Sequence, residues 1–157
     1  MVSEPAKIMF YRVGDEYGWM SNFAPYPITI DGVLWPTSEH YFQAQKFPGT
    51  SHEKAVHELI SPMEAAKYGR RRDIPLRPDW DTVKDDIMLT AVRAKFRQHE
   101  DIRTKLLETR DAVLVEHTAN DSYWADGGDG SGKNMLGQIL MQIRDELELE
   151  LRGPALN

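Results

Sequence analysis

The sequence predicts a mainly α-helical protein of the α+β class, in which a small antiparallel β element accompanies a series of helices. The helices are predicted because several segments repeat their apolar residues at helical spacing, most clearly residues 134–151. The β element is predicted because one Asp-Gly pair stands between β-branched residues, as in a hairpin. A chain of 157 residues can bury one core without disulfides, and no internal repeat or linker interrupts it. We therefore expect a single domain over residues 1–157.

Short strands are predicted at three places along the chain. Residues 8–13 are apolar and aromatic, a composition that favours a strand. In the segment 28–35, Asp31 and Gly32 suit a two-residue type I′ turn, which predicts a hairpin. Residues 112–116 have the apolar character of one further strand.

The helix predicted over residues 37–47 mixes polar and aromatic side chains. Pro36 opens it, and Glu39, Gln43 and Lys46 fall on one stripe at intervals of i, i+4 and i+7. An acid, an amide and an amine beside aromatic rings suit a polar heterocycle attached to a sugar. The same stripe also fits a helix face in water, and spacing alone slightly favours this second interpretation, because charged stripes are usually solvated.

Two short helices follow, and capping residues mark where they begin. Ser51 is expected to cap a helix over residues 53–60. The next helix begins at Ser61, with Pro62 in its first position and a glutamate in its third. It is expected to end at Gly69, since glycine commonly closes helices.

The rest of the chain predicts three further helical segments. Asp79 is expected to cap a helix that ends near Gln98, and a shorter helix covers residues 102–109. The last helix spans residues 134–151. Helices therefore dominate the second half of the chain.

Composition and charge exclude several classes of protein. The chain has no cysteine, which rules out disulfides, thiolate catalysis and cysteine zinc sites. Its net charge of −6 opposes extended binding of nucleic acid, although it allows one phosphate in a local pocket. No apolar run has the length of a membrane span, and residues 1–7 lack the apolar stretch of a signal peptide. We therefore expect a soluble cytoplasmic protein without membrane contact.

A glycine-rich segment at residues 127–134 approaches the spacing of a phosphate-binding P-loop. Asn134 replaces the hydroxyl residue that would hold magnesium, and Asp126 and Asp129 would repel phosphate. Nucleoside-triphosphatase activity is therefore rejected, while the amides ahead of the last helix still suit one anion or carbonyl oxygen. The five histidines show no spacing typical of zinc ligands, and we expect no metal or cofactor.

Three features admit both a functional and a structural interpretation. Arginines after a helix end satisfy its carbonyls, but the planar fork of Arg70 or Arg71 also suits phosphate. Asp121 and Trp124 lie in a glycine-rich loop of the kind that often carries function. The structural alternative makes Asp121 a turn former and Trp124 a core anchor. His40 is either a ligand contact or a hydrogen-bonded structural residue.

Together these segments resemble the NADAR family, also called the YbiA-like N-glycosidase family. The resemblance covers roughly residues 8–148, and its motifs are long and in the family's order. The matching pieces are Met20-Ser21-Asn22-Phe23, Trp35-Pro36-Thr37-Ser38-Glu39-His40-Tyr41-Phe42-Gln43-Ala44-Gln45-Lys46-Phe47, Gly69-Arg70, Asp79-Trp80 with Lys84, Lys95-Phe96, Asn120-Asp121-Ser122-Tyr123-Trp124 and Gly132-Lys133-Asn134-Met135-Leu136-Gly137. One departure is Ala125, where the family pattern leads us to expect glycine; this change removes no catalytic group.

The resemblance implies a mainly helical fold with a few short strands, and an enzyme that cleaves the bond between an amine nitrogen and ribose C1. In the closest branch of the family, the substrates are phosphoribosylamino-pyrimidines, which are early and reactive intermediates of riboflavin biosynthesis. Hydrolysis releases ribose 5-phosphate and the free aminopyrimidine, which disposes of damaging metabolites. Another branch removes ADP-ribose from guanine bases. A nucleotide-binding module without catalysis is the third alternative.

The resemblance and the residue chemistry together imply the catalytic roles. Glu39 is expected to be the general acid and base, since the leaving nitrogen needs a proton. Asp121 or Asp126 would orient the ribose or the attacking water. Lys46 or Lys84 would form a transient imine with the opened sugar.

Further residues are expected to bind the substrate. Trp80 and Trp124 would stack on the base, and Arg70 would hold the phosphate. The full set predicted to contact the substrate is Asn22, His40, Arg70, Trp80, Trp124, Asp126 and Asn134. The expected ligand is a small phosphoribosylated or ADP-ribosylated molecule, and the reaction requires no metal.

Overall fold

A computed structural model describes residues 4–153 of the chain, and it confirms the predicted α+β class. The strands in this range are β1 (Lys7–Phe10), β2 (Ile28–Ile30), β3 (Val33–Trp35) and β4 (Val113–Glu116). The helices are α1 (Ser38–Ala44), α2 (Ser51–His57), α3 (Pro62–Gly69), α4 (Trp80–Gln98), α5 (Glu100–Glu108) and α6 (Met135–Arg152). None of these helices is both long and apolar enough to cross a membrane.

The chain divides into two compact units. One is continuous over Asn22–His99, and the other combines Met1–Ser21 with Glu100–Asn157. Residues 1–3, which belong to the segment searched for a signal peptide, lie outside the described range, as do residues 154–157. The expectation of a single domain over the whole chain stays a prediction.

The predicted hairpin is confirmed in the Asn22–His99 unit. β2 and β3 are antiparallel, with Ile28 opposite Trp35. Asp31 and Gly32 join them with φ angles of 51° and 79°. Both central positions of a type I′ turn need positive φ, which an Asp-Gly pair tolerates.

α1 is shorter than predicted, since it ends at Ala44 and not at Phe47. Thr37 caps it, and the Thr37 hydroxyl accepts a hydrogen bond from the backbone N–H of His40 at 3.1 Å. Beyond Ala44, the N–H groups of Lys46 and Phe47 donate to carbonyls three residues back, at 3.2 and 3.0 Å. These tighter bonds replace the helical pattern, so the chain turns at this point.

α2 lies earlier in the chain than predicted. Thr50 caps it in place of Ser51, because the Thr50 hydroxyl accepts a hydrogen bond from the N–H of His52 at 3.2 Å. The helix consequently ends at His57, short of the predicted residue 60.

α3 begins and ends as predicted. The Ser61 hydroxyl accepts from the N–H of Glu64 at 3.1 Å, and Pro62 occupies the first helical position. Gly69 is the last helical residue, but it does not have the left-handed conformation that usually explains a glycine there. A close contact described below explains this glycine instead.

α4 covers the predicted span, but Asp79 does not cap it through its side chain. The Asp79 carboxylate instead accepts two hydrogen bonds from Arg77, at 2.7 and 3.1 Å. A bidentate ion pair competes with the cap because it uses both carboxylate oxygens.

The other unit contains the two remaining predicted strands, and they form a parallel pair, which the sequence did not predict. β1 pairs with β4, with Lys7 aligned to Val113. α6 packs closely on β4. Gly137 permits this close approach, because a Cβ at this position would overlap the Leu114 carbonyl oxygen. The buried apolar side chains of this unit include Phe10, Ile102, Leu106, Leu114, Leu136, Ile139, Leu140, Ile143 and Leu147.

Lys95 is a charged residue in the interior of the Asn22–His99 unit. It lies on α4 with a relative exposure of 1%. Its amine is 5.8 Å from the ring centre of Tyr26 and 5.4 Å from that of Phe96. Burial lowers the pKa of Lys95 from 10.5 to about 7, because the charged form loses its hydration.

Replacing Lys95 with methionine is expected to raise the melting temperature at pH 7. Between about 7 and 10.5 the unfolded chain holds this proton more tightly than the folded chain, so the free energy of unfolding rises with pH. The variant lacks this dependence, so its advantage, on the order of a few kcal/mol near pH 7, narrows as the pH rises. Thermal unfolding across this range measures the difference, with Lys54→Met at an exposed lysine as the control. A difference in melting temperature that stays constant with pH would contradict the assigned protonation.

Candidate active site

The stripe of Glu39, Gln43 and Lys46 faces the protein interior. The relative exposures of the three residues are 8%, 7% and 8%. The interpretation of this stripe as a solvated helix face, which spacing alone slightly favoured, is therefore wrong. Three polar groups that lose contact with water must find partners in the fold.

Glu39 is held at both its side chain and its backbone. Its Oε1 accepts a hydrogen bond from the Nε2 of Gln43 at 2.7 Å, one turn along α1. Its backbone N–H donates to the carbonyl of Asn22 at 3.3 Å. The carboxylate therefore has a defined orientation inside the unit.

Lys46 follows α1 in the turn that ends the helix. Its Nζ donates to the carbonyl oxygen of Gly69 at 3.1 Å. The amine also lies 5.6 Å from the ring centre of Trp80 and 5.9 Å from that of Phe42. Aromatic faces attract the charged form of an amine, but they supply little hydration.

The pKa of Lys46 is lowered from 10.5 to about 8. Burial is the largest cause, because the ammonium form loses water. Repulsion from Arg72 and Arg70 lowers the pKa further, whereas attraction to Glu39 opposes the shift. Lys46 therefore exists partly as a neutral amine near neutral pH, and the neutral amine is the form that can act as a nucleophile.

Trp80, the predicted stacking residue, begins α4 and is buried. Its ring centre lies 5.1 Å from that of Phe42, with an angle of 59° between the rings. Trp80 and Phe42 therefore form one aromatic wall beside the Lys46 amine. Sequence reasoning predicted Trp80 but not Phe42, although the position of Phe42 in the polar and aromatic run was a usable signal.

The three arginines after α3 have different partners. Arg71 forms a bidentate pair with Asp73, at 3.1 and 2.7 Å. Arg72 donates to the carbonyl oxygen of Gly69 at 3.2 Å. Among residues 4–153, Arg70 has no hydrogen bond or ion pair through its guanidinium, and it is exposed. Arg70 is therefore the member of the cluster best placed to take an anion.

Lys84, the alternative imine residue, lies one turn beyond Trp80 on α4. Its Nζ is 3.5 Å from the Oδ1 of Asp81, and its side chain is 22% exposed. Its amine therefore lies beside a carboxylate at a partly exposed position, whereas the amine of Lys46 is buried. Lys84 is therefore a weaker candidate nucleophile than Lys46.

Asn22 and His40 are buried, and protein groups occupy their polar atoms. The Oδ1 of Asn22 accepts from the Ser38 hydroxyl at 2.9 Å, and its Nδ2 donates to the sulfur of Met88 at 3.2 Å. The two ring nitrogens of His40 lie 2.7 Å from the Thr37 hydroxyl and 2.9 Å from a backbone carbonyl oxygen. Burial lowers the pKa of His40, which favours the neutral ring. Both residues support α1.

In the other unit, Asp121 and Trp124 lie in the loop that precedes α6. The Oδ1 of Asp121 accepts from the N–H groups of Tyr123 and Trp124, both at 2.8 Å. The Trp124 ring packs edge-on against Tyr123, with ring centres 4.9 Å apart. Asp121 therefore shapes the turn that presents two partly buried aromatic rings.

Asp126 is a buried anchor of the same loop. Its Oδ1 accepts from the N–H groups of Thr118 and Gly128, at 3.1 and 2.9 Å, and its Oδ2 lies 2.7 Å from the Nδ1 of His117. Burial acts against the charged form, but the hydrogen bonds from His117, Gly128 and Thr118 prevail and hold the pKa of Asp126 below its usual value. The half-exposed His117, which sequence reasoning did not select, is the partner of Asp126 that reaches solvent. The spacing of nine positions from His117 to Asp126 matches no known motif, so the sequence did not indicate that the two side chains meet.

Asn134 completes the hydrogen bonding of β4. It has a left-handed backbone with φ of 53°, which asparagine tolerates better than most residues. Its Oδ1 accepts from the N–H of Glu116 at 3.0 Å, and its Nδ2 donates to the carbonyl of Leu114 at 2.9 Å. Both ends of the Asn134 amide are therefore used by the strand.

A cavity of about 290 Å³ opens elsewhere in the Asn22–His99 unit. The hairpin, α1 and α2 line it, with Trp35, Tyr41 and His57 among its walls. None of the predicted site residues lines this cavity. The buried groups around Lys46, and not the size of a cavity, therefore identify the candidate active site.

A buried carboxylate, an amine of lowered pKa and an aromatic wall make this part of the α+β scaffold a candidate enzyme site, since perturbed groups of this kind cluster where chemistry occurs. The chain belongs to the NADAR family, because the model of the NADAR domain matches residues 9–148.

Several known proteins are similar to this chain. N-glycosidase YbiA of Escherichia coli is 52% identical over 149 residues, which cover 95% of this chain and 93% of that protein. Its NMR structure superposes with a TM-score of 0.89, covering 99% of this chain and 93% of that one. N-glycosidase Npun_R5314 of Nostoc punctiforme is 46% identical over 93% of this chain and 97% of its own length. Identity of this extent makes the chain an N-glycosyl hydrolase.

One longer relative is named for riboflavin biosynthesis. The riboflavin biosynthesis protein VVA0006 of Vibrio vulnificus is 40% identical over 90% of this chain, and the match takes up 38% of that protein. The same kind of domain therefore occurs within a larger protein.

Proposed function

We propose that the enzyme hydrolyses the C–N bond between ribose C1 and the amine nitrogen of a phosphoribosylamino-pyrimidine, an intermediate of riboflavin biosynthesis. The products are ribose 5-phosphate and an aminopyrimidine. The observation that carries this proposal is the buried Lys46 amine, which has a pKa of about 8, is attracted to Glu39 and lies beside the ring of Trp80. The relative named for riboflavin biosynthesis supports this class of substrate.

The proposed reaction begins with a proton transfer. Glu39 gives its proton to the amine nitrogen as the C1–N bond breaks, so that a neutral amine leaves. The neutral Nζ of Lys46 bonds to C1, the ring opens with a proton on its oxygen, and an imine remains. The Glu39 carboxylate then takes a proton from water, which adds to the imine. The C1–Nζ bond breaks and releases the aldehyde form of the sugar phosphate, so that one water is consumed in total.

Lys46 is preferred to Lys84 in this proposal because of its surroundings. Its burial and the neighbouring arginines favour the neutral amine. The side chain of Lys84 is instead 22% exposed, and its Nζ lies 3.5 Å from the Oδ1 of Asp81. Direct attack of water at C1, without an imine, uses the same proton transfer by Glu39.

The aromatic wall supports stacking of the pyrimidine on Trp80. The expected roles of Asp121 in orienting the ribose and of Trp124 in stacking remain part of the proposal. Asn22 and His40 are assigned the support of α1, since protein groups occupy their polar atoms.

Asp126 and Asn134 are likewise assigned to the support of their own unit. Asp126 holds the loop ahead of α6, and Asn134 completes the hydrogen bonding of β4. Both residues would act through the elements that they hold in place.

Arg70 is proposed to bind the phosphate, and its replacement by alanine tests this role. We expect KM to rise by about 10-fold or more, since a charge-assisted hydrogen bond contributes ~1.5–3 kcal/mol. Arg71→Ala is the matched control, because Asp73 already occupies that guanidinium. Steady-state kinetics on phosphorylated and dephosphorylated substrate measure the effect. Equal losses on both substrates would contradict phosphate binding.

The substrate itself is tested with purified protein. A phosphoribosylamino-pyrimidine and an ADP-ribosylated guanine nucleotide are incubated separately, and released pentose phosphate and ADP-ribose are quantified. We expect release of pentose phosphate from the first substrate. Release of ADP-ribose alone would select the alternative branch of the family, and consumption of neither would refute both substrate assignments.

A further inference from the structure

Gln43 and Gly69 make an unusually close contact between α1 and the end of α3. The Cα of Gly69 faces the Gln43 amide so closely that a Cβ there would overlap the Gln43 Oε1. This oxygen is buried and accepts no hydrogen bond within residues 4–153. Contact with a glycine Cα–H is a weak substitute for a hydrogen bond. The contact therefore leaves one side of the Gln43 amide without a strong partner.

The other side of the same amide holds the catalytic acid. The Nε2 of Gln43 donates to the Oε1 of Glu39 at 2.7 Å. The reverse orientation would place the amide oxygen against a carboxylate oxygen and would be repulsive. The unpartnered Oε1 is therefore the consequence of aiming the N–H at Glu39.

Gly69 also contacts the amine side of the site. Its carbonyl oxygen accepts from the Nζ of Lys46 at 3.1 Å and from Arg72 at 3.2 Å. Gly69 consequently contacts both Gln43, which holds the Glu39 carboxyl group, and the amine of Lys46.

We infer that Gln43 and Gly69 are positioning residues, which set the orientation of Glu39 relative to Lys46. Gln43 donates to the Oε1 of Glu39 and so fixes the plane in which the carboxyl group of Glu39 lies. Gly69 keeps Gln43 in this orientation because no other residue leaves room for the amide. The inference rests on the proposed N-glycosidase reaction and adds two residues to its machinery.

Gln43→Leu removes the donor at nearly constant side-chain volume and is the main test. We expect kcat to fall by roughly 10²-fold, the loss typical of a catalytic group displaced by about 1 Å, while KM stays unchanged. The limb of the kcat pH profile that reports Glu39 is expected to move to higher pH, because the carboxylate loses a hydrogen bond. The charged groups that act on the Lys46 amine are Glu39, Arg70 and Arg72, and the variant changes none of them.

Gln45→Leu is the matched control, since Gln45 is a neighbouring glutamine that donates to Glu53 instead, at 3.1 Å. It is expected to keep the wild-type kcat and pH profile. Gly69→Ala should reproduce the effect of Gln43→Leu, because the new Cβ displaces the amide. If Gln43→Leu does not fold, Gln43→Met supplies the same loss of the donor with an unbranched chain.

The outcomes separate the two proposals. A folded Gln43→Leu enzyme with wild-type kcat and an unmoved pH profile would overturn the positioning role. A loss of kcat without movement of the pH limb would also overturn it, since it would indicate a general structural defect. If the wild-type protein cleaves no N-glycoside, the proposed function fails instead, and it fails before any variant is compared.

Discussion

Glu39→Gln is expected to lower kcat by ~10²–10⁴-fold, the usual contribution of a general acid or base. Glutamine keeps the size of the side chain and its place on α1, but it cannot give a proton to the leaving nitrogen. Substrate binding should be retained, because the aromatic wall and the arginines are unchanged. Kinetics on the phosphoribosylamino-pyrimidine, with binding of the substrate measured by calorimetry, separate the two effects.

Glu64→Gln is the control for this substitution, since Glu64 is an exposed acid on α3. It should behave as the wild type. Unchanged turnover in Glu39→Gln would remove Glu39 from the mechanism. Loss of binding together with turnover would instead indicate that the variant disturbs the site.

Lys46→Met is expected to lower kcat by roughly 10⁴-fold or more if the imine forms, as is seen when an activated nucleophile is removed. In the wild type the amine must be neutral to attack C1. The contribution of Lys46 to the pH profile is therefore a kcat that rises with pH up to about 8 and stays constant above it. Borohydride added during turnover should reduce the imine and leave a stable pentose adduct on Lys46. Peptide mapping identifies the labelled residue.

Lys84→Met is the matched control, because Lys84 lies on α4 with its amine near Asp81. An adduct on Lys84 would reassign the nucleophile. The absence of any adduct, together with turnover retained in Lys46→Met, would leave direct attack by water as the route.

Local signals predicted part of the fold, and they succeeded where neighbouring residues alone decide the structure. The Asp31-Gly32 turn and the Ser61 cap depend only on adjacent backbone groups, and both are confirmed. A side-chain cap by Asp79 was predicted from the same kind of signal, but Arg77 binds the Asp79 carboxylate and the cap does not form. The β1–β4 pair was missed, because the two strands are far apart in the sequence and neither carries a mark of its partner.

The site illustrates the same boundary between local and non-local information. Spacing correctly placed Glu39 and Gln43 one turn apart, where their side chains meet. Spacing could not show that this face is buried, because burial depends on the contacts of α1 with α3 and α4. The lowered pKa of Lys46 arises from that burial and from arginines after α3, so it was also beyond sequence reasoning.

The parallel pairing of β1 with β4 has a consequence for synthesis of the chain on the ribosome. The strand that begins at Lys7 cannot pair until Val113 has been synthesised. Synthesis of the intervening residues takes roughly 5–20 s at typical elongation rates. The continuous stretch from Asn22 to His99 emerges during that interval and needs nothing from either terminus to close its own hairpin. The nascent protein therefore carries an unpaired leading strand until β4 has been made, and this late contact joins the oldest strand of the polypeptide to one synthesised much later.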